Sequence, residues 1–176
     1  MKRLIIIYGL ISGVLVAGMM WATMPLLANG TIDFSNGMFY GYTSMVIAFS
    51  MIFFAIKNYR DNYQNGSITF GKGFKIGILI TVIASLMYAI SWEIYYTFKG
   101  DEFVEYYISS SLRALEEEGV TGVALEAERV KLVASFEMYQ NFFIRFEITL
   151  LEIFPVGLLI TIFTALVLRK REILPA

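Results

Sequence analysis

Residues 57–77, KNYRDNYQNGSITFGKGFKIG, decide how this chain is organised, because they form a polar connector between two long apolar runs. An apolar run of about 20 residues is long enough to cross a membrane as a helix. Basic residues in a short loop between two such runs indicate on which side of the membrane the loop lies. The basic residues of this connector are Lys57, Arg60, Lys72 and Lys75.

The composition of the chain also favours a membrane protein. Its 176 residues are 57% hydrophobic and only 16% charged, whereas soluble domains of this size seldom carry so little charge. The chain has no Cys and no His, which excludes disulfides, thiol nucleophiles and metal or haem sites built on thiolate or imidazole. We predict no metal, no cofactor and no nucleic-acid partner.

Four apolar runs are predicted to span the membrane, at residues 4–28, 38–56, 74–98 and 148–168. The first run follows a basic start, so a cleaved signal peptide is the alternative interpretation. Two features favour a retained helix instead. The run is too long for a signal peptide, and its last residues, Leu26, Leu27 and Ala28, do not fit the A-x-A pattern of a signal-peptide cleavage site. Residues 1–176 are therefore predicted to form a single all-α membrane domain, an integral membrane four-helix bundle.

The distribution of charge predicts the orientation of these spans. The N-terminus, the connector and the C-terminal tail are basic, whereas the turn at residues 29–37 has no Lys or Arg. The insert at residues 99–147 has five Lys and Arg against ten Asp and Glu. Because cytoplasmic loops carry an excess of Lys and Arg, both termini and the connector are predicted to be cytoplasmic and the insert extracytoplasmic. The basic residues of the tail are Arg169, Lys170 and Arg171.

The insert is predicted to form a helical hairpin between spans three and four. Apolar residues recur at helical spacing on both sides of Gly119, which is the expected end of the first helix. Thr121 is a candidate N-cap for the second helix. Since no helix breaker follows, one long helix is expected from about Gly122 to Leu168, bent near Pro155 by a lost backbone hydrogen bond and a ring clash.

Small residues recur every four positions in each predicted span, which allows close helix packing in lipid. Packing of the four helices within one chain is the favoured interpretation, and a homodimer built on one of these rows is the alternative. The rows are Gly9, Gly13 and Ala17; Gly37 and Gly41, then Ser44 and Ala48; Gly73, Gly77, Thr81, Ser85 and Ala89; and Gly157, Thr161 and Ala165.

Residues 66–73, GSITFGKG, match the first seven positions of the nucleotide-binding pattern G-x-x-x-x-G-K-[ST]. The eighth position holds magnesium through Ser or Thr, but here it is Gly73, and the pattern follows a membrane span instead of a buried strand. We therefore favour a membrane-surface loop. In this interpretation Asn65 and Gly66 form a turn, Thr69 caps the third helix, and Lys72 and Lys75 contact lipid phosphates. A weaker anion site at the helix N-terminus is an open alternative.

Two carboxylates lie within the predicted spans, Glu93 in the outer half of the third and Glu152 near the start of the fourth. Ionisable groups at such depth are costly and often functional. Together with Arg145 and Glu147 they are a candidate outer-facing site for a cation or a proton. Alternatively, both carboxylates are hydrated at the membrane–water interface, or they are paired with Arg145 or Lys99. Glu93 is expected to face protein, whereas Glu152 lies away from the small-residue row of its span.

Three other patterns are interpreted structurally. Residues 116–118 are three glutamates at a helix end and lack the alternating oxygen ligands of a calcium loop. Residues 109–111 are three serines without a paired base. Trp92, Tyr95 and Tyr96 are expected to form an aromatic belt at the outer membrane boundary. We predict no catalytic residues and a non-enzymatic protein.

The motifs Tyr-Arg-Asp at residues 59–61 and ITFGKGFKIG at residues 68–77 resemble the bacterial membrane family catalogued as domain of unknown function 4199. Members of this family are short proteins with four spans and a Phe-Pro-x-Gly element in the last span, here at residues 154–157. The resemblance covers essentially the whole chain and implies an all-helical bacterial inner-membrane protein, without an established activity. It marks as hallmark positions Arg60, Asp61, Phe70, Gly71, Lys72 and Gly77.

Two functional hypotheses follow. The leading one is a structural or accessory protein whose cytoplasmic loop contacts membrane lipids, an anion or a membrane-protein partner. The alternative is a small transporter or cation- or proton-coupled translocator, functioning as an oligomer such as a homodimer and using Glu93 and Glu152. The loop residues proposed for the leading hypothesis are Tyr59, Arg60, Asp61, Thr69, Phe70, Gly71, Lys72 and Lys75.

Overall fold

The structure is a computed structural model that describes residues 1–170. Within these residues the chain forms five helices. Four of them, the first, second, third and fifth, are long and apolar enough to cross a membrane. The predicted all-α fold with four apolar spans is confirmed, and the chain is a multi-pass membrane protein. The helices are α1 (Lys2–Ala28), α2 (Phe34–Tyr63), α3 (Phe70–Glu117), α4 (Val123–Tyr139) and α5 (Phe142–Leu168).

Helix α3 is much longer than a membrane span. Its 48 residues correspond to about 72 Å, whereas the apolar core of a bilayer is about 30 Å thick. The second half of α3 continues beyond the predicted span and is followed by α4, which confirms a helical hairpin within residues 99–147. Gly119 and Gly122 form the turn of this hairpin with φ values of +90° and +62°, a region that glycine adopts without strain.

The expected single helix from Gly122 to Leu168 is wrong. The chain leaves the helix at Gln140 and starts a new one after Asn141, whose side-chain oxygen accepts hydrogen bonds from the amides of Phe143 (2.9 Å) and Ile144 (3.4 Å). Asn favours such N-cap positions because its side chain replaces a missing backbone acceptor. Pro155 does not end a helix, because α5 continues through it to Leu168.

The predicted cap of α4 is also wrong. Gly122, and not Thr121, occupies the N-cap position, and it provides no side-chain hydrogen bond there. The tight glycine turn between α3 and α4 moves the start of the helix one residue beyond Thr121. This end of the hairpin therefore depends on backbone conformation more than on side-chain capping.

Helix α3 is central to the packing, because it contacts each of the other four helices. All five small residues of its predicted row are buried. A Cβ atom added at Gly77 would lie 2.6 Å from Cγ2 of Thr161 in α5, so the two backbones approach closely. One helical turn further along, the hydroxyl groups of Thr81 and Thr161 are 3.2 Å apart and hydrogen-bonded. The small-residue rows of α3 and α5 thus serve packing within the chain.

Candidate functional site

The first candidate site lies where α1 begins, α2 ends, α3 begins and α5 ends. Two contacts join these four termini. The amide of Asn58 in α2 donates to the hydroxyl of Tyr8 in α1 (3.2 Å). Ile68 and Lys170 exchange two backbone hydrogen bonds of 3.0 Å, which attach the connector to the end of α5. We call this region the basic end.

Eight Lys and Arg lie at the basic end against one acid, among the residues that the structure describes. Seven of the eight are exposed, and Arg60 is half-buried. Arg171, which belongs to the same predicted cytoplasmic group, lies outside the described residues. The eight are Lys2, Arg3, Lys57, Arg60, Lys72, Lys75, Arg169 and Lys170, and the acid is Asp61.

The connector forms a compact turn. Asn65 and Gly66 have φ values of +48° and +79°, and the amide of Gly66 donates to the carbonyl of Arg60 (3.0 Å), which ends α2. Thr69 Oγ1 accepts a hydrogen bond from the amide of Lys72 (3.3 Å) at the start of α3. Both the predicted turn and the predicted Thr69 cap are confirmed. Because its own cap satisfies this amide, the helix N-terminus offers fewer free donors to an anion.

The side chains of the predicted loop motif are held by local contacts. Arg60 Nε and Asp61 Oδ1 form an ion pair of 2.7 Å, and Lys72 Nζ donates to Oε1 of Gln64 (2.6 Å). Lys75 is exposed and forms no ion pair within residues 1–170. The motif residues thus share one end of the molecule, but they form separate local pairs instead of one cluster.

Of the other residues in the predicted loop motif, Tyr59 and Phe70 make ring contacts, whereas Gly71 makes no close contact. The ring of Tyr59 stacks on Tyr63, with centroids 5.6 Å apart, and the ring of Phe70 stacks on Phe74 at 5.7 Å. Gly71 is exposed, and a Cβ atom there would meet nothing within 4 Å.

The second candidate site, at the opposite end of the spans, is centred on an ion pair between Glu93 in α3 and Arg145 in α5. Arg145 Nε lies 3.0 and 3.1 Å from the two carboxylate oxygens, and Nη2 also donates to one of them. Only 8% of the Arg145 side chain and 12% of the Glu93 side chain are exposed. Glu93 faces protein, in agreement with its position after the small-residue row.

Arg145 also contacts α4, because its Nη1 donates to the carbonyls of Tyr139 (3.1 Å) and Gln140 (3.2 Å). Those carbonyls belong to the end of α4, where a positive charge interacts favourably with the helix dipole. The guanidinium carbon lies 4.0 Å from the centroid of the Tyr96 ring, within the range of a cation–π contact. Arg145 therefore joins three helices at one point.

Of the four residues predicted to form an outer site, the structure brings together only Glu93 and Arg145. Glu147 is exposed and has no ion-pair partner within residues 1–170. Glu152 is also unpaired there and lines a separate cavity. Lys99, considered as an alternative partner, pairs instead with Glu102 at 2.7 Å.

The expected aromatic belt is wrong for two of its three members, because Trp92 and Tyr95 are buried and Tyr96 is half-buried. Trp92 Nε1 donates a hydrogen bond to the hydroxyl of Tyr139 in α4 (2.8 Å). Burial raises the pKa of Tyr139 to about 12, and the hydrogen bond from Trp92 opposes this shift. The Tyr139 hydroxyl is therefore neutral at physiological pH. Trp92 and Tyr96 of α3 thus contact Tyr139 of α4, and these contacts connect α4 to α3.

A family model described as protein of unknown function (DUF4199) matches residues 7–170. The chain belongs to the DUF4199 family. No curated protein and no solved structure matches the chain. The DUF4199 match extends from within α1 to the end of the described residues, and it confirms the resemblance to that family.

The candidate residues that the sequence predicts and the residues that make the contacts described above overlap only in part. The sequence indicates Glu93 by its depth in the third predicted span and Arg145 by its place just before the fourth. It gives no such indication for Gln64, Tyr139 and Asn141. Gln64 and Asn141 are polar residues between helical runs, which is the position from which side chains cap or close turns. No local pattern indicates that Tyr139 meets Trp92, because the two are 47 positions apart.

Proposed function

We propose that this chain is a non-enzymatic accessory protein of the bacterial inner membrane, and that its basic end binds anionic lipid headgroups of the cytoplasmic leaflet. Both termini and the connector are then cytoplasmic, and the hairpin is extracytoplasmic. The observation that carries the proposal is the collection of eight Lys and Arg at one end of four apolar helices, against a single acid, within residues 1–170.

The arrangement of this charge suits a lipid surface. Each Lys or Arg near an anionic membrane contributes about 1 kcal/mol of attraction, so several exposed charges at one level act together. Lys72 and Lys75 are exposed at the start of α3, one turn apart, and neither is paired with a carboxylate in the described part of the chain. The backbone pairing of Ile68 with Lys170 holds the connector and the end of α5 at the same level.

Ion translocation through Glu93 is less well supported than lipid binding. A carboxylate that carries a proton or a cation must exchange its partner, but Glu93 is held by two nitrogens of a buried guanidinium. Breaking such a buried pair costs about 3–5 kcal/mol, which opposes repeated opening. We therefore assign Glu93 and Arg145 a structural role.

Lipid binding is tested with the purified protein in detergent, by measuring the rise in melting temperature on adding phosphatidylglycerol or phosphatidylcholine. We expect phosphatidylglycerol to raise the melting temperature and phosphatidylcholine to have little effect. In the double variant Lys72→Gln and Lys75→Gln, the effect of phosphatidylglycerol should fall by at least half. The matched control is Lys99→Gln with Lys131→Gln, which removes the same charge from the hairpin and should leave the lipid effect unchanged. Equal losses in both double variants would contradict the proposal.

The proposed orientation is tested by cysteine labelling, because the chain has no native Cys. A single cysteine is introduced as Asn62→Cys at the basic end or as Ser109→Cys in the hairpin, both exposed positions. In intact spheroplasts a membrane-impermeant maleimide should label the hairpin position and not the basic end. The opposite pattern would reject the cytoplasmic assignment while leaving the fold intact.

A further inference from the structure

A cavity of about 810 Å³ lies at the hairpin end of the spans and is lined by residues of all five helices. Drug-sized ligands occupy protein pockets of about 300–1,000 Å³, so this volume suits a molecule of that size. Helices α2 and α4 both line it, although they do not pack against each other within residues 1–170. We call it the hairpin-end cavity.

The walls of this cavity are rich in aromatic rings. Nine of its lining residues are Phe, Tyr or Trp, among them Tyr88 and Trp92 from α3 and Tyr139 from α4. The face of an aromatic ring carries partial negative charge and attracts cations, most strongly where water is excluded. An aromatic wall therefore favours an occupant that is both apolar and positively charged.

The charged residues that line the cavity are both acidic. They are Glu102 and Glu152, and no Lys or Arg lines it among the described residues. Glu102 is already paired, because Lys99 Nζ donates to both of its carboxylate oxygens at 2.7 and 2.9 Å. Glu152 has no hydrogen bond and no ion pair within residues 1–170.

No neighbouring cation is available to Glu152 from its own helix. Arg145 lies two turns away, about 10 Å along the axis, and its guanidinium is committed to Glu93 and to the end of α4. Glu152 is thus an unpaired carboxylate on the wall of an apolar cavity at the level of the spans. The side chain of Glu152 is exposed within the chain, so its carboxylate can be reached from the cavity. A charge at membrane depth without a partner is costly, and an opposite charge that joins it lowers this cost.

We propose that the hairpin-end cavity binds an organic cation with an apolar body, such as an amphipathic amine or a quaternary ammonium compound. The cationic group pairs with Glu152, and the apolar body contacts the aromatic walls. This inference is independent of the lipid-binding role of the basic end, because the two sites share no residue.

Other occupants fit the cavity less well. A neutral apolar molecule leaves the Glu152 charge uncompensated, and an anion is repelled by it. A metal ion leaves most of the volume unfilled, and residues 1–170 contain no group of three or more Asp, Glu, His or Cys able to hold one. Charge and shape together therefore select an organic cation.

The experiment uses two probes of nearly the same size and shape and of opposite charge, tetraphenylphosphonium and tetraphenylborate. Binding of each to the full chain in nanodiscs of zwitterionic lipid is measured by equilibrium dialysis, with empty nanodiscs as the background. We expect saturable binding of the phosphonium ion, with an affinity at least about tenfold above that of the borate ion. Equal affinity for the two probes would overturn the proposal.

Three variants locate the site. Glu152→Gln keeps the shape of the side chain and removes its charge, so the preference for the phosphonium ion should fall by about tenfold or more. Glu147→Gln is the matched control on the same helix, outside the cavity, and should bind like the original protein. Gly41 lines the cavity, and a Cβ there would meet nothing within 4 Å. Gly41→Leu should therefore fill part of the cavity and weaken binding, and its melting temperature shows whether packing is kept.

Two of the variants, Glu152→Gln and Gly41→Leu, have an outcome that contradicts the proposal. If Glu152→Gln retains the charge preference, the carboxylate is not the recognition group. Should Glu152→Gln fail to fold, Gly41→Leu still tests the location, provided that its melting temperature matches that of the original protein. Unchanged phosphonium binding in folded Gly41→Leu would place the site elsewhere.

Discussion

The basic end and the hairpin end of this molecule are held together in different ways. At the basic end, backbones approach closely through glycine and threonine, as at Gly77 and Thr161, and the connector is paired with Lys170. At the hairpin end the helices separate around a cavity of about 810 Å³, and polar side chains bridge between them. One end is stabilised by packing and the other by a small number of specific polar contacts.

This difference follows from where each kind of contact is strong. In lipid the hydrophobic effect does not drive helices together, so stability comes from van der Waals contact between small residues over long surfaces. At the hairpin end the chain leaves the membrane, and the buried ion pair of Glu93 with Arg145 joins α3, α4 and α5. A hydrogen bond from Trp92 and a ring contact of Tyr96, both to Tyr139, also join α3 to α4. Loss of a single residue should therefore be most damaging at the hairpin end.

The largest effect is expected for Arg145→Leu. This change leaves Glu93 as a buried, unpaired carboxylate and removes two hydrogen bonds to the end of α4. Breaking a buried pair from one side costs about 3–5 kcal/mol. We expect the free energy of unfolding, measured by titrating the protein from mild detergent into dodecyl sulfate, to fall by that amount.

A double-mutant cycle separates the ion pair from the other contacts of Arg145. Because Glu93→Leu together with Arg145→Leu leaves no buried charge, the double variant should be more stable than the sum of the two single losses predicts. Strictly additive losses would show that the pair contributes little, and the comparison between the two ends would then fail.

A smaller effect, about 1–3 kcal/mol, is expected for Gly77→Ala near the basic end. The added methyl group would lie 2.6 Å from Thr161 Cγ2 and 3.1 Å from Ile52 Cγ2, so α3 and α5 must move apart. The measurement is again the free energy of unfolding in dodecyl sulfate.

Gly41→Ala is the control for this prediction at the open end, because no atom lies within 4 Å of its added Cβ. Its stability should stay the same or rise by up to about 1 kcal/mol, since alanine favours the helix. If both glycine variants lose the same stability, the two ends do not differ in packing.

The contrast between the ends also explains what the sequence alone could predict. Four spans, the connector turn and the Thr69 cap depend on local composition and spacing, and each was predicted correctly. The small-residue row from Gly73 to Ala89 predicted the packing face of α3 for the same reason. These features are short-range or repeat along one helix.

What could not be predicted depends on contacts between distant parts of the chain. The contact of Trp92 with Tyr139, and the cavity lined by all five helices, depend on how far the helices separate, which no local pattern encodes. The break at Asn141 was missed because the apolar pattern of the hairpin continues into the fourth span, and only the capping side chain indicates the interruption.

That break gives the next prediction, a loss of about 1 kcal/mol for Asn141→Ala. The variant leaves the amides of Phe143 and Ile144 without their side-chain acceptor. Asn141→Ser retains a capping oxygen and is expected to keep most of the stability. The free energies of both variants are measured as above, and equal losses for Ala and Ser would show that the cap is not what the position requires.

The smallest effect is expected for Lys99→Gln, which removes the ion pair with Glu102 on the surface of α3. Both side chains are largely exposed, at 50% and 67%, so water replaces the lost contact and the loss should be below about 1 kcal/mol. Lys99 and Arg145 each pair with a glutamate of α3, and the difference between them is burial and the number of helices joined. A loss for Lys99→Gln as large as that for Arg145→Leu would mean that the charge of the hairpin end, and not the buried connection, stabilises it. The unfolding titration at two salt concentrations decides between these explanations, because salt screens an exposed pair much more than a buried one.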